Sequence, residues 1–248
     1  MTLLQVRGLT KRFGALVATD ALDLDITTGE VHAIIGPNGA GKTTLISQLS
    51  GALMPDAGSI RLRDAEVTRL SAHDRVRRGI ARSFQVTNVF RAMSAVDNVA
   101  LALQAGDGSS FRFLRPVARD RHLFIRARQL LERVGLHERA DVVAGVLAHG
   151  EQRQLEVALA LATCPALLLL DEPMAGMGPD ESAQMVRLIA SLRSDLTIVL
   201  VEHDMDAVFR LADRISVLVY GRLLATGTAE VIRTNDDVRR AYLGTDAA

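Results

Sequence analysis

The sequence predicts an α/β fold: a parallel sheet whose strands alternate with helices, preceded by an N-terminal β region and interrupted by a helical segment. Three observations carry this. From residue 31 onward, short apolar runs alternate with segments of helical periodicity. A glycine-rich loop joins the first such run to a helix. The stretch 86–148 reads as mainly helical and arginine-rich, with no strand pattern.

Residues 3–7 and 21–26 alternate apolar and polar side chains, as half-buried strands do. Thr27-Thr28-Gly29 is a turn, and 31–35 a compact apolar strand that stops at Gly36. A helix is expected over 41–50, a turn over 55–58 and a short strand over 59–62. In the helical middle, 106–110 reads as a loop. A helix over 118–134 places Leu123, Ala127, Leu130, Leu131 and Val134 on one face, with its arginines on a solvated one. The helix over 151–163 carries Leu155, Ala158, Leu159 and Ala162 at helical spacing. Strand 166–170, helix 180–192, strand 196–201, helix 204–211, strand 215–220 and strand 222–226 complete the alternation.

The chain has 248 residues, enough for one or two domains with a sizeable core. Its 29 basic and 29 acidic residues cancel, which argues against a general nucleic-acid binder. A single cysteine, Cys164, excludes a disulfide-built fold. The runs 166–170 and 198–201 end at Asp171 and Glu202, far short of the roughly 20 apolar residues of a membrane span. The N-terminus lacks the basic start and apolar block of a secretory signal, so a cytoplasmic location is expected. Only Lys11 and Lys42 are lysines among the basic residues, so the place of each is informative.

One of them completes a phosphate-binding pattern. Gly36-Pro37-Asn38-Gly39-Ala40-Gly41-Lys42-Thr43 fits G-x-x-x-x-G-K-[ST] and is followed by Thr44. Glycines let the backbone wrap a polyphosphate, and the helix N-terminus presents N–H groups to it. Lys42 reaches β- and γ-phosphates, and the Thr43 hydroxyl ligates Mg²⁺. A second element narrows the chemistry. Residues 167–170 run straight into Asp171-Glu172, which puts two carboxylates at the end of a parallel strand, beside the phosphate loop. Asp171 is then expected to hold Mg²⁺, directly or through water, and Glu172 to polarise the attacking water.

The order of phosphate loop, Gln85, Leu147-Ala148-His149-Gly150-Glu151-Gln152-Arg153, Asp171-Glu172 and His203 resembles an ABC-type ATPase subunit over essentially the whole chain. The resemblance implies a P-loop NTPase with a RecA-like parallel core and an N-terminal antiparallel β subdomain. It implies one domain over 1–248, with a nucleotide-binding core of 1–85 and 149–248 and a helical subdomain of 86–148. Gln85 is then the Q-loop glutamine, touching Mg²⁺ and the lytic water. Ala148, His149, Gly150 and Glu151 belong to the signature segment, residues 175–178 to the D-loop, and His203 contacts the γ-phosphate. Phe13 is the aromatic residue that stacks on adenine. ATP and Mg²⁺ are the implied substrate and cofactor.

Residues 79–85 with Val89-Phe90, the loop 36–44, the segment 167–177 and Ala241-Tyr242-Leu243-Gly244 are similar to the branched-chain amino acid (Liv-type) importers, and to the first of their two ATPase subunits. Related subunits serve importers of urea or other amides. The implied partners are a second ATPase subunit in a head-to-tail dimer, two integral membrane permease subunits and, indirectly, a periplasmic substrate-binding protein. Nucleic acid is not among them. The implied place is the cytoplasmic face of the inner membrane, as a peripheral subunit. Val86, Val89, Phe90 and Met93 would line the groove that receives a coupling helix. The alternative is a soluble ABC-type ATPase not coupled to transport, though such proteins typically carry two ATPase units or a long coiled-coil insertion.

The signature departs from the general LSGGQ. Ala148 replaces the serine, His149 the first glycine and Glu151 the glutamine. Losing a hydrogen bond to a charged group costs roughly 1.5–3 kcal/mol. Gly150 and the helix N-terminus are expected still to address the partner's phosphate through backbone N–H groups. The two sites of a heterodimer are therefore expected to be unequal.

Overall fold

A computed structural model describes residues 1–83, 89–106 and 121–243. Gln85 and Val86 lie outside the described residues. Two sheets organise the chain. The first is antiparallel, in the order β2-β1-β4-β5. It is built from β1 (Thr2–Phe13), β2 (Leu16–Thr27), β4 (Ala57–Leu62) and β5 (Ala65–Glu66). The second has the order β10-β9-β3-β8-β7-β6. Its strands are β3 (Val31–Ile35), β6 (Ile80–Arg82), β7 (Leu167–Asp171), β8 (Thr197–Val201), β9 (Arg214–Val219) and β10 (Arg222–Gly227). All its pairings are parallel except β9 with β10.

β1 and β2 run well past the predicted segments. Their register shifts between Val6 and Leu9 and again between Leu9 and Lys11, so the strict alternation is lost while the ladder continues. This places Phe13 at the strand end.

The parallel strands are buried on both faces, and each face has its own core. Leu168, Leu170, Ile198 and Leu200 meet one helical layer. That layer holds α3 (Ala95–Gly106), α4 (Arg121–Arg133), α5 (His149–Leu161) and α6 (Pro179–Leu192). Leu167, Leu169, Val199 and Val201 point the other way, into a core shared with the antiparallel sheet and α1 (Lys42–Ser50). A third cluster packs α7 (Met205–Leu211) and α8 (Ala229–Thr234) on Ala33, Ile35, Ile215 and Val217. On α4 the expected face is buried at Leu123, Ala127 and Leu131, with Val134 just beyond the helix. Among the described residues no helix is long and apolar enough to cross a membrane.

α2 (Ala72–Arg77) escapes pattern reading because it is short and polar. It carries the largest fully buried side chain, Arg75. Its guanidinium donates to Gln48 O at 2.5 Å, Leu49 O at 2.8 Å, Thr68 O at 2.7 Å and Leu70 O at 3.3 Å. It thus closes the C-terminus of α1, where carbonyls lack helical partners. Gly51 ends that helix at φ +79°, and a Cβ there would meet Arg75 Nε at 2.9 Å. Burial pushes the Arg75 pKa down to about 10, so it remains charged at neutral pH. Arg75→Met is expected to destabilise the fold by about 3–5 kcal/mol, because it strands buried carbonyls. Urea unfolding checks this; a loss below about 1 kcal/mol would mean that water reaches those carbonyls.

Candidate functional site

Three neighbouring strands, β3, β8 and β7, end on the same edge of the sheet and bring the site together. β3 delivers the loop 36–44, which closes against other chain segments. A Cβ at Gly36 (φ +149°) would lie 2.0 Å from Leu218 O, and one at Gly41 (φ +104°) 2.2 Å from Ala18 O. Both positions therefore require glycine whatever the loop binds. Lys42 is buried, and its ammonium donates to Gly36 O at 2.6 Å and Pro37 O at 3.0 Å. Burial lowers its pKa, against the opposing pull of Glu172 and Asp171.

β7 ends at Asp171, which is 1 % exposed. One of its oxygens accepts from Arg82 Nη2 at 2.8 Å, while Oδ1 has no hydrogen-bond partner among the described residues. Burial raises the Asp171 pKa; Arg82 counters it and neighbouring Glu172 adds to it. Glu172 sits at φ +49°, a strained value for a residue with a side chain. Two bonds hold it there. Its N–H donates to Val201 O at 2.9 Å, and its carbonyl accepts from Ala175 N–H at 3.1 Å.

β8 leads to Glu202 and His203. His203 Nδ1 lies 4.0 Å from Glu172 Oε1 and 3.9 Å from Glu202 Oε2, with the ring largely exposed. The cap of α7 is Asp204, which accepts from the N–H groups of Asp206 and Ala207, so His203 is free of that task. Buried Glu202 ties the two strand ends together. One oxygen accepts from Met174 N–H at 2.9 Å, the other from His203 N–H at 3.0 Å.

Two open clefts flank the loop. One is lined by Phe13, Leu16, Ala18, residues 38–44 and Glu172. Phe13 is half exposed there, with Lys11 Nζ 5.7 Å from its ring centre. Lys11 is itself paired with Asp56 at 2.8 Å. The other cleft is lined by Gly36, Pro37, Asn38, Glu172, His203 and Tyr242. Thus Phe13, Gly36, Pro37, Asn38, Gly39, Ala40, Gly41, Lys42, Thr43, Thr44, Glu172 and His203 line the two clefts, with Asp171 buried directly before Glu172. Ala148, His149, Gly150 and Glu151 line neither cleft.

The signature segment is wired inward instead. The Glu151 carboxylate accepts from Ala148 N–H at 2.9 Å, which starts α5 two residues earlier than the periodicity suggests. It also pairs with Arg139 at 2.9 Å. Gly150 N–H donates to Glu181 Oε1 at 3.2 Å. In the chain by itself, a carboxylate of the same chain therefore takes this N–H.

The arrangement can cradle a polyphosphate, place a cation at its end and set a carboxylate and an imidazole beside the terminal phosphate. A family model described as "ABC transporter" matches residues 19–175, and one described as "Branched-chain amino acid ATP-binding cassette transporter" matches 222–248. The chain is 44% identical to the high-affinity branched-chain amino acid transport ATP-binding protein LivG of Escherichia coli, and 43% to BraF of Pseudomonas aeruginosa. Both alignments cover 98% of each chain.

The chain belongs to the ABC transporter ATPases.

The fold agrees. A solved nucleotide-free ATP-binding cassette from an ABC transporter superposes with a TM-score of 0.86 at 27% identity, covering 98% of this chain and all of that one. The ATPase also uses residues that sequence reasoning passed over. Arg82, Glu202 and Glu181 are common residue types whose partners lie 89, 28 and 31 positions away. No spacing could signal them. Tyr242 had one signal, its place in the family-like ending. Burial raises its pKa, and the Gly36 backbone opposes that rise.

A desolvated Asp171 carries a signed prediction. Its folded pKa is raised, so ionisation is penalised in the folded nucleotide-free protein. The penalty is absent below the ordinary carboxylate range, grows as pH rises and is complete above the raised pKa. Asp171→Asn is expected to match or exceed wild-type stability at pH 7, with the advantage vanishing in acid. Paired urea titrations measure it. A mutant clearly weaker than wild type at pH 7 would mean that the Arg82 pair outweighs desolvation.

Proposed function

We propose that this ATPase is the energy-coupling subunit of an importer for branched-chain amino acids or related amino acids and amides. The observation that carries the reading is similarity along the whole chain to two ATP-binding subunits named for branched-chain amino acid transport. The separate match over 222–248 supports it.

In this reading residues 36–44 hold the phosphates, Lys42 offsets charge on the β- and γ-phosphates, and Phe13 stacks on adenine. The residues fit Mg²⁺. Asp171 Oδ1 is buried, unpartnered and on a carboxylate whose charge is penalised. Among the described residues no three histidines, cysteines or acids cluster as a metal cage. That suits a cation held by one carboxylate, the Thr43 hydroxyl, phosphate oxygens, water and, by the resemblance, Gln85. Bound there, Mg²⁺ would neutralise phosphate charge. Glu172 accepts a hydrogen bond from the attacking water, which adds to the γ-phosphorus as its bond to ADP breaks. His203 contacts the γ-phosphate. Ala148, His149, Gly150 and Glu151 face the nucleotide of a second ATPase subunit across a head-to-tail dimer.

ATP would favour the closed dimer because it touches both subunits only there, and hydrolysis removes that preference. Membrane permease subunits would receive the movement at an apolar patch. Phe90 is 63% exposed, and Val143 and Val146 are exposed beside it, joined through Ser94–Val143 bridging and the Ala144 N–H to Met93 O bond. Met93 is partly exposed, whereas Val89 packs against the core. A periplasmic binding protein would deliver the substrate, and this subunit would lie at the cytoplasmic face of the inner membrane.

Reconstitution with membrane permease subunits tests the reading, by ATP hydrolysis stimulated by leucine, isoleucine, valine and amides. Glu172→Gln is expected to keep ATP binding and lose hydrolysis by about 10²–10⁴-fold. Because this chain's signature lacks its serine, the matching change in the partner is expected to cost less. Hydrolysis without any membrane complex or substrate response would favour the soluble ATPase.

A further inference from the structure

His149 occupies a position where the general signature has glycine, and its side chain has a defined partner. Its Nε2 lies 3.1 Å from Ala175 O. A carbonyl oxygen only accepts, so Nε2 carries the hydrogen and donates. The ring edge lies over Gly176, where a Cβ would come within 3.4 Å of Nε2. Gly176 has φ +76°, so a side chain there would also be strained.

What the bond reaches matters more than the bond itself. Ala175 N–H donates to Glu172 O at 3.1 Å, so residues 172–175 form one turn. That turn keeps Glu172 in its left-handed conformation. It is pinned on one side by Glu202, which takes Met174 N–H at 2.9 Å, and on the other by His149. Beside His149, Gly150 N–H and Gly178 N–H both donate to Glu181, each at 3.2 Å. The start of α5, the turn after Glu172 and the start of α6 therefore form one hydrogen-bonded unit.

We propose that His149 is a positioning residue for Glu172 and couples the signature segment to the chain's own hydrolytic carboxylate. The second half rests on the head-to-tail reading above. In that reading α5 faces the partner's nucleotide while Glu172 faces this chain's own. A shift of α5 on engaging the partner's phosphate would then pull on Ala175 and reset Glu172. The substitution removes backbone openness from the signature and supplies a tether in its place.

Two variants separate the tether from bulk. His149→Phe keeps a ring and removes the donor. His149→Gln places an amide donor near the position of Nε2. In the full-length chain, hydrogen–deuterium exchange of peptides covering 172–177 is expected to quicken about ten-fold in His149→Phe and to stay near wild type in His149→Gln. In the assembled transporter, His149→Phe is expected to lower kcat about ten-fold with KM for ATP within two-fold, and His149→Gln to recover at least half of wild-type kcat. Unchanged exchange in His149→Phe, or equal loss in both variants, overturns the tether. Altered exchange with unchanged kcat overturns its role in positioning Glu172. A wild-type chain that fails to bind Mg²⁺-ATP would instead overturn the functional reading and leave the exchange result standing.

Discussion

A buried cation and a buried carboxylate share the mouth of the parallel sheet, and each is held at a cost. Lys42 would bind its proton more tightly in water, and Asp171 would release its own more readily. Their mutual attraction and the Arg82 pair offset only part of the desolvation. In the proposed reading a polyphosphate with a divalent cation would complete both halves: the phosphate would take the ammonium from the loop carbonyls, and the cation would take the buried Asp171 oxygen. Strong charge is thus fixed in place before ligand arrives, and little reorganisation remains for the moment of reaction.

The rest of the fold serves to hold those charges where water is scarce. The site needs three strand ends side by side, and the order β3-β8-β7 supplies them. It needs those ends rigid, so both faces of the sheet are buried, with alternate leucines of β7 entering different cores. It needs α1 to start at the loop and stop cleanly, and Arg75 with Gly51 ends that helix. Glu202 then links the β7 and β8 ends, its carboxylate taking the N–H groups of Met174 and His203, so the segments that carry Glu172 and His203 are fixed relative to one another.

The legibility of these features in the sequence follows their chemistry. The phosphate loop is readable because its geometry is contiguous: glycines, lysine and hydroxyl act within a few residues of each other. Asp171-Glu172 is readable because an apolar strand must end before two carboxylates. The parallel strands are readable for the same reason, as short apolar runs at regular intervals. The lengths of β1 and β2 are not, since bulges break the alternation while the ladder goes on. Arg75, Arg82, Glu181 and Glu202 are not readable either. Each earns its place through a partner distant in sequence, and an arginine or glutamate on a helix or strand end is by default a solvated one. The start of α5 was hidden because Ala148 is a poor cap; Glu151, reaching back to the Ala148 N–H, does the capping.

The signature segment shows how a departure from pattern can be a rearrangement of bonds as well as a loss. Read from residue types, Ala148 and His149 subtract a hydroxyl and a flexible glycine. In the folded chain the same segment is linked to Arg139, Ala175 and Glu181. A glycine at 149 could present its backbone to a ligand but could not transmit a displacement through a side chain. A histidine gives up some of that openness and gains a directional bond to the turn that carries Glu172. Because Glu172 is held at a strained φ, the proposed tether would act where the backbone has the most to gain by moving. The energy at stake is that of one exposed hydrogen bond, about 1–1.5 kcal/mol, which alters a population by up to about ten-fold without locking it. In the proposed head-to-tail dimer, a coupling element between two sites that each bind, hydrolyse and release would need a bond of that modest strength.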